Sequence, residues 1–231
     1  MGIIVENFTK PFKEVKKLIE LIKKNLEKKL PGIKSWERMA VKAPDGTLKE
    51  SESLQKYSDW LSKEKLKSMK KAAVLICFFK KENEWHIPLI KRPMNEKNHP
   101  GQIALPGGSM EKNENLVTTA LREAFEEVGI IEENVTVIGE LTPLPVPVSG
   151  YLIHPFVGMT ENEPEWTINK REVDELILLK YDELIAADNG YSEDWDLRKN
   201  KVSVPIFKLM KKTIWGATAA VLAELLDISK N

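Results

Sequence analysis

The sequence lacks a net charge, a long apolar run and any pair of cysteines. Thirty-five basic residues balance thirty-five acidic ones, so no overall field exists to hold the chain on nucleic acid or an anionic membrane. The longest unbroken apolar run, residues 72–79, is much shorter than the roughly 18 residues of a membrane span. The single cysteine, Cys77, lies within that run and is expected to be a small buried side chain. A transmembrane protein, a disulfide framework and a nucleic-acid-binding protein are therefore disfavoured.

The remaining composition is that of an ordinary globular chain. Its 231 residues, 42% of them hydrophobic, suffice for one large domain with an appendage but not for two full domains. Residues 1–10 lack the apolar stretch of a signal peptide, so we expect a soluble protein of the cytoplasm. We expect a small-molecule partner, and the sequence leaves a monomer and a homodimer equally open.

The pattern of apolar residues changes near residue 69. In residues 10–29 the apolar residues recur at three- and four-residue steps, which predicts an amphipathic helix that ends at Leu30-Pro31-Gly32. Residues 1–68 are interpreted as a helical extension that packs on the core. Residues 69–231 mix strands with helices, which predicts an α+β fold with a mixed sheet sandwiched between helices. The predicted strands are 72–79, 85–91, 102–105, 135–141, 152–159, 175–180 and 201–206, and the predicted helices are 115–128 and 215–226.

The segment from residue 108 to residue 130 carries the strongest chemical pattern. On a helix, its apolar residues fall on one arc and three carboxylates on the opposite arc. The packing arc comprises Val117, Leu121, Ala124, Phe125 and Val128, and the acidic arc comprises Glu123, Glu126 and Glu127. Like charges at such spacings cost about 0.2–0.5 kcal/mol per pair. A hard cation, Mg²⁺ or Mn²⁺, among these oxygens is therefore favoured over a solvated acidic face, which is the alternative for any charge run.

This segment resembles the Nudix box: Gly, five residues, Glu, seven residues, then Arg-Glu-U-x-Glu-Glu-x-Gly-U, where U is aliphatic. The matching residues are Gly108, Glu114, Arg122, Glu123, Glu126, Glu127, Gly129 and Ile130, and Ala124 is smaller than the usual aliphatic residue. The resemblance implies the Nudix fold and hydrolysis of a nucleoside diphosphate linked to another group. It also implies that Glu123 and Glu127 are the main metal ligands, with Glu126 as a third ligand or as the partner of a metal-bound water. Arg122 would hold a neighbouring carboxylate in place.

The preceding residues are similar to the signature of the coenzyme A pyrophosphatase branch of that family. Arg92, Gly101, Pro106, Gly107 and Gly108 agree in identity and spacing, whereas Pro93, Lys97 and Leu105 depart from it. The resemblance implies cleavage of coenzyme A or acyl-CoA to 3′,5′-ADP and (acyl-)4′-phosphopantetheine. The expected substrate-binding residues are Arg92, Lys97, Gly107, Gly108 and Tyr151, the last by stacking on adenine.

Several alternatives stay open at this stage. A Nudix hydrolase for another nucleoside diphosphate derivative (a nucleotide sugar, a dinucleotide or an oxidised nucleotide) is the nearest, because Lys97 and Leu105 differ from the coenzyme A signature. A noncatalytic Nudix-fold binding module is disfavoured because no box carboxylate is missing. For the general base, proximity to the metal ligands favours Glu126 over Glu172, for which a surface ion pair is the other interpretation.

Overall fold

The computed structural model describes residues 10–43, 62–96, 99–197, 200–209 and 212–230. Lys97, predicted to bind substrate, lies outside these residues. The helices are α1 Lys10–Leu26, α2 Ile33–Trp36, α3 Lys63–Ser68, α4 Leu116–Val128, α5 Tyr181–Ala186 and α6 Gly216–Ser229, with 3₁₀ turns at Glu37–Met39 and Glu132–Asn134. The strands are β1 Lys70–Lys81, β2 Glu84–Lys91, β3 Ile103–Ala104, β4 Gly107–Ser109, β5 Thr136–Glu140, β6 Leu144–Val146, β7 Tyr151–Met159, β8 Glu175–Lys180, β9 Ser192–Leu197, β10 Asn200–Pro205, β11 Phe207–Leu209 and β12 Lys212–Ile214. Within the described residues, no helix is long and apolar enough to cross a bilayer.

An eight-stranded sheet organises the chain, with β3-β2-β1-β7-β5 as its continuous path. Strand β1 runs parallel to β7 from the Lys70–Tyr151 pair to the Phe78–Met159 pair. The other pairings are antiparallel: β4 pairs with β1, β6 with β7, and β8 with β2. The predicted mixed sheet is therefore confirmed.

Both faces of β1 are buried, because alternate residues point to opposite sides of a strand. Ala73, Leu75 and Cys77 join the cluster that contains the apolar side of α4. Ile76 and Phe78 join the larger cluster on the other side, which contains α6. The sheet thus lies between helices, as predicted, and burial raises the pKa of the Cys77 thiol to about 12, which keeps it protonated.

Helix α6 is buried on nearly every side, from Ala219 to Leu226 and at Ile228. A helix that is apolar all round needs cover on all faces, and the sheet supplies only one. The first described segment, residues 10–39, covers the opposite face through α1, α2 and the following 3₁₀ turn. Asn25 Nδ2 donates to the Ile228 carbonyl at 2.7 Å and the Gly32 amide donates to Glu224 Oε1 at 2.9 Å.

The region after β8 differs from the prediction of one strand at residues 201–206. It contains two hairpins, β9–β10 and β11–β12. Val202, Val204 and Ile206 form a third small cluster there, against which Trp195 and Trp215 pack. The alternation in β9 is one of partly buried and exposed residues, so its sequence carries little apolar signal.

Candidate active site

Helix α4 is placed by signals at its two ends. The Asn115 side chain accepts a hydrogen bond from the Thr118 amide at 2.9 Å, which caps the first turn. Gly129 ends the helix in the left-handed region at φ 82°. A Cβ there would lie 2.8 Å from the Thr167 amide nitrogen, so only glycine allows the segment around Thr167 to pack on the helix end. The helix predicted at 115–128 is confirmed.

Strand β4 brings Gly107 and Gly108 under the C-terminal half of α4. The Gly107 amide donates to Glu127 Oε2 at 2.9 Å. A Cβ on Gly108 would lie 2.4 Å from the Glu123 carboxylate. Two residues without side chains therefore leave space for two carboxylates between helix and strand.

These two carboxylates are joined by a third from a distant loop. Glu123, Glu127 and Glu172 each offer an oxygen atom, and the three atoms lie within 4.8 Å of one another. Glu172 belongs to the connection between β7 and β8. Glu127 is buried, Glu123 is partly buried and Glu172 is exposed, so the group reaches from the interior to the surface.

The electrostatics of this group are unfavourable without a cation. Burial is the main cause that raises the pKa of Glu127 to about 8 and also raises the pKa of Glu123, and the neighbouring carboxylates add to both shifts. The Arg92 charge acts in the opposite direction and lowers the pKa of Glu127. An all-oxygen donor set of carboxylates is the kind that Mg²⁺ and Mn²⁺ prefer. The approach of three carboxylate oxygens to within 4.8 Å of one another and their donor chemistry both fit such an ion.

Arg122 pairs with three carboxylates, those of Glu114, Glu123 and Glu126. Its Nε lies 2.9 Å from Glu114 Oε1, and its Nη1 lies 3.0 Å from Glu123 Oε1 and 2.9 Å from Glu126 Oε2. Pairing with Arg122 is the main cause that lowers the pKa of Glu114 to about 2, and pairing with Glu114 is the main cause that raises the pKa of Arg122. Glu126 therefore lies beside Arg122, outside the group formed by Glu123, Glu127 and Glu172.

The helix also departs from the predicted division into a packing arc and an acidic arc. Phe125, expected to pack, is 55% exposed, and Glu127, expected on the acidic face, is only 2% exposed. Ala120, Leu121, Ala124 and Val128 are buried. Gly107 and Gly108 of β4 have no side chains, so the space beneath the helix admits the Glu127 carboxylate, which accepts from the Gly107 amide.

Arg92 and Tyr151, two of the predicted substrate-binding residues, have side-chain partners within the described residues. Arg92 Nη1 is 3.2 Å from Glu96 Oε2, and its effect on the pKa of Glu127 places its charge near the carboxylates. The Tyr151 hydroxyl is 3.0 Å from Ser109 Oγ, one residue beyond Gly108. Glu96 was missed by the sequence pattern, since a carboxylate four residues after an arginine is common on any surface.

Comparisons with known proteins agree with this geometry. A family model described as the NUDIX domain matches residues 69–200. A protein named uncharacterized Nudix hydrolase NudL from Pectobacterium atrosepticum is 37% identical over 138 residues, which cover 59% of this chain and 71% of that protein. One of the same name from an Enterobacter species is 32% identical over 157 residues, which cover 68% of this chain and 81% of that protein.

A solved structure of a MutT/nudix family protein from Enterococcus faecalis is 16% identical, with a TM-score of 0.49, and the match covers 77% of this chain and 70% of that chain. The family model and the two sequence relatives show that the chain belongs to the NUDIX family. Both relatives are named as Nudix hydrolases.

Proposed function

We propose that this Nudix protein is a metal-dependent pyrophosphohydrolase that cleaves coenzyme A or acyl-CoA to 3′,5′-ADP and (acyl-)4′-phosphopantetheine. The observation that carries the hydrolytic part is the convergence of Glu123, Glu127 and Glu172 to within 4.8 Å. The coenzyme A part is supported by the segment from Arg92 to Gly108, which resembles the signature of that branch and places Arg92 near Glu127.

In this proposal, Glu123, Glu127 and Glu172 hold Mg²⁺ or Mn²⁺. When bound, such an ion polarises the diphosphate and lowers the pKa of a water that attacks phosphorus. One water is consumed, one P–O bond of the anhydride breaks, and both products leave as phosphate esters. Arg92 binds a phosphate of the substrate, and Tyr151 offers a ring face on which adenine stacks.

The general base is assigned by reach. A base must lie within hydrogen-bonding distance of the proton that it takes, about 2.6–3.2 Å. Glu172 lies with the two box ligands, whereas Glu126 is held by Arg122. We therefore favour Glu172 over Glu126 as the base or as the carboxylate that orients the attacking water, through the oxygen that does not hold the ion, which reverses the preference drawn from the sequence alone. Arg122 acts on Glu123 by fixing one of its oxygens.

A second candidate is hydrolysis of another nucleoside diphosphate derivative. Pro93, Lys97 and Leu105 are the positions that favour it, because they differ from the coenzyme A signature. Lys97 retains a charge but not the bidentate geometry of arginine.

Product analysis distinguishes these substrates. The purified protein is incubated with Mg²⁺ or Mn²⁺ and coenzyme A, acetyl-CoA, NADH, ADP-ribose or an oxidised dNTP, and the products are separated by chromatography. We expect 3′,5′-ADP from coenzyme A at the highest kcat/KM, and no products from the Glu123→Gln variant. A higher kcat/KM on any other substrate in the set would assign the protein to that substrate.

Arg92 provides a second test. If its guanidinium binds the 3′-phosphate, Arg92→Ala reduces the discrimination between coenzyme A and 3′-dephospho-coenzyme A. Lys91→Ala is the matched control, because Lys91 is the adjacent cation and its Nζ already pairs with Asp174 at 2.6 Å. Equal losses on both substrates would place Arg92 at the diphosphate instead.

A further inference from the structure

The segment that carries Glu172 is attached to the end of helix α4. The Thr167 amide donates to the Val128 carbonyl at 3.1 Å, and the Asn169 amide donates to the Glu127 carbonyl at 3.0 Å. The last carbonyls of a helix have no partner within it, so this segment supplies two of the missing donors. The backbone of Glu127 is thereby hydrogen-bonded to the loop that contains Glu172.

Asn169 contacts Glu172 through both its backbone carbonyl and its side chain. Its carbonyl accepts from the Glu172 amide at 3.0 Å and from the Val173 amide at 2.9 Å. Its side-chain Nδ2 donates to Glu172 Oε1 at 3.0 Å, while its Oδ1 accepts from the Arg171 amide at 3.1 Å. The side-chain amide of Asn169 therefore donates to the Glu172 carboxylate and accepts from the Arg171 backbone amide. An ionised aspartate has no donor, and a serine side chain is too short to make both contacts.

We propose that Asn169 is a positioning residue that orients the Glu172 carboxylate toward Glu123 and Glu127. This inference rests on the metal-dependent function proposed above, and Asn169 acts through Glu172 without touching the substrate. Glu172 is exposed, and an exposed glutamate loses rotamer freedom when it is fixed in one geometry. A hydrogen-bond donor on a ligating carboxylate reduces that loss at the moment of binding, and removal of such partners typically weakens metal affinity about 10–100-fold.

The test measures Mn²⁺ binding to the metal-free protein by the EPR signal of free Mn²⁺, independently of activity. We expect Asn169→Ala to weaken binding about tenfold and to raise by the same factor the Mn²⁺ concentration that gives half-maximal activity. Asn169→Ser is the second variant, because a hydroxyl maintains a turn of this kind but is too short to reach Glu172. Asn169→Ser should show the same loss of Mn²⁺ affinity. It keeps the inference testable if the alanine variant fails to fold.

Two comparisons separate positioning from a general structural role. Asn189→Ala removes an equivalent contact, Asn189 Oδ1 with the Tyr191 amide at 3.1 Å, and should leave Mn²⁺ affinity unchanged. In a Glu172→Ala background, Asn169→Ala should cause no further loss, because no side-chain acceptor remains at position 172 for Asn169 Nδ2. Wild-type affinity in both Asn169 variants, or an undiminished loss in the Glu172→Ala background, overturns the inference. If Glu123→Gln and Glu127→Gln also bind Mn²⁺ normally, the proposed metal site itself is wrong.

Discussion

Gly108→Ala is expected to damage the metal site while leaving the fold intact. The added Cβ would lie 2.4 Å from the Glu123 carboxylate, whereas ordinary contact begins near 3.4 Å. The obstacle is the end of a flexible side chain, so the strain is relieved when that carboxylate moves by about 1 Å. A displacement of about 1 Å at a reacting centre costs on the order of 10²-fold in rate. We expect that loss in kcat together with weaker Mn²⁺ binding.

Gly107→Ala provides the contrast. Its φ is +154°, and the added Cβ would lie 2.3 Å from the Ala73 carbonyl oxygen in the adjacent strand. Backbone cannot move aside as a side chain does, so we expect a loss of about 2 kcal/mol or more in the free energy of unfolding.

Urea unfolding and Mn²⁺ titration of the two variants test this pair of expectations. For Gly108→Ala the free energy of unfolding should change by less than about 1 kcal/mol. Wild-type turnover of Gly108→Ala at saturating Mn²⁺ would show that Glu123 does not act from its position against β4, and the reasoning would fail.

Three further expectations concern single carboxylates. Glu123→Gln and Glu127→Gln should each lower kcat by several orders of magnitude with the fold retained, since each removes a metal ligand; near-normal turnover at saturating metal in either would contradict the assignment. Glu172→Gln should lower kcat about 10²–10⁴-fold and more than Glu126→Gln, and steady-state kinetics with the opposite ranking would return the role of base to Glu126. Burial raises the pKa of Glu224, so its stabilising contribution is present below its unfolded-state pKa and is lost as the pH rises through the folded-state value. Glu224→Gln should therefore flatten the decline in unfolding free energy as the pH rises above the unfolded-state pKa of a glutamate, about 4.3, and an identical pH slope in variant and wild type would refute this.

The box helix could be predicted from sequence because its signals are local. Its cap at Asn115, its end at Gly129 and the spacing of Arg122 and Glu123 all lie within one short segment. The exposure of Phe125 could not be predicted, because it depends on the strand that lies beneath the helix. Helical periodicity contains no information about two glycines in a neighbouring strand.

The third carboxylate of the site shows the same limit more strongly. Glu172 is some forty-five residues from the box, and nothing in its immediate neighbours distinguishes it from a surface glutamate. Its place is set by Asn169, whose backbone amide hydrogen-bonds to the end of α4. That tertiary contact has no counterpart in the sequence pattern. The predicted strand at 201–206 corresponds to β10, whereas β9, β11 and β12 were missed for a related reason, since each is short or has little apolar alternation.

The burial of helix α6 beneath the N-terminal segment has a consequence during synthesis. Asn25 and Ile228, which meet in the finished protein, are separated by 203 residues. At a translation rate of about 5–20 residues per second, the ribosome needs roughly 10–40 seconds to make the partner of α1. For that interval the apolar stripe of the nascent α1, including Ile19 and Ile22, lacks the part of its native cover that α6 supplies, whereas β5, which α1 also contacts, is made earlier. The N-terminal segment therefore stays partly uncovered until α6 has been made.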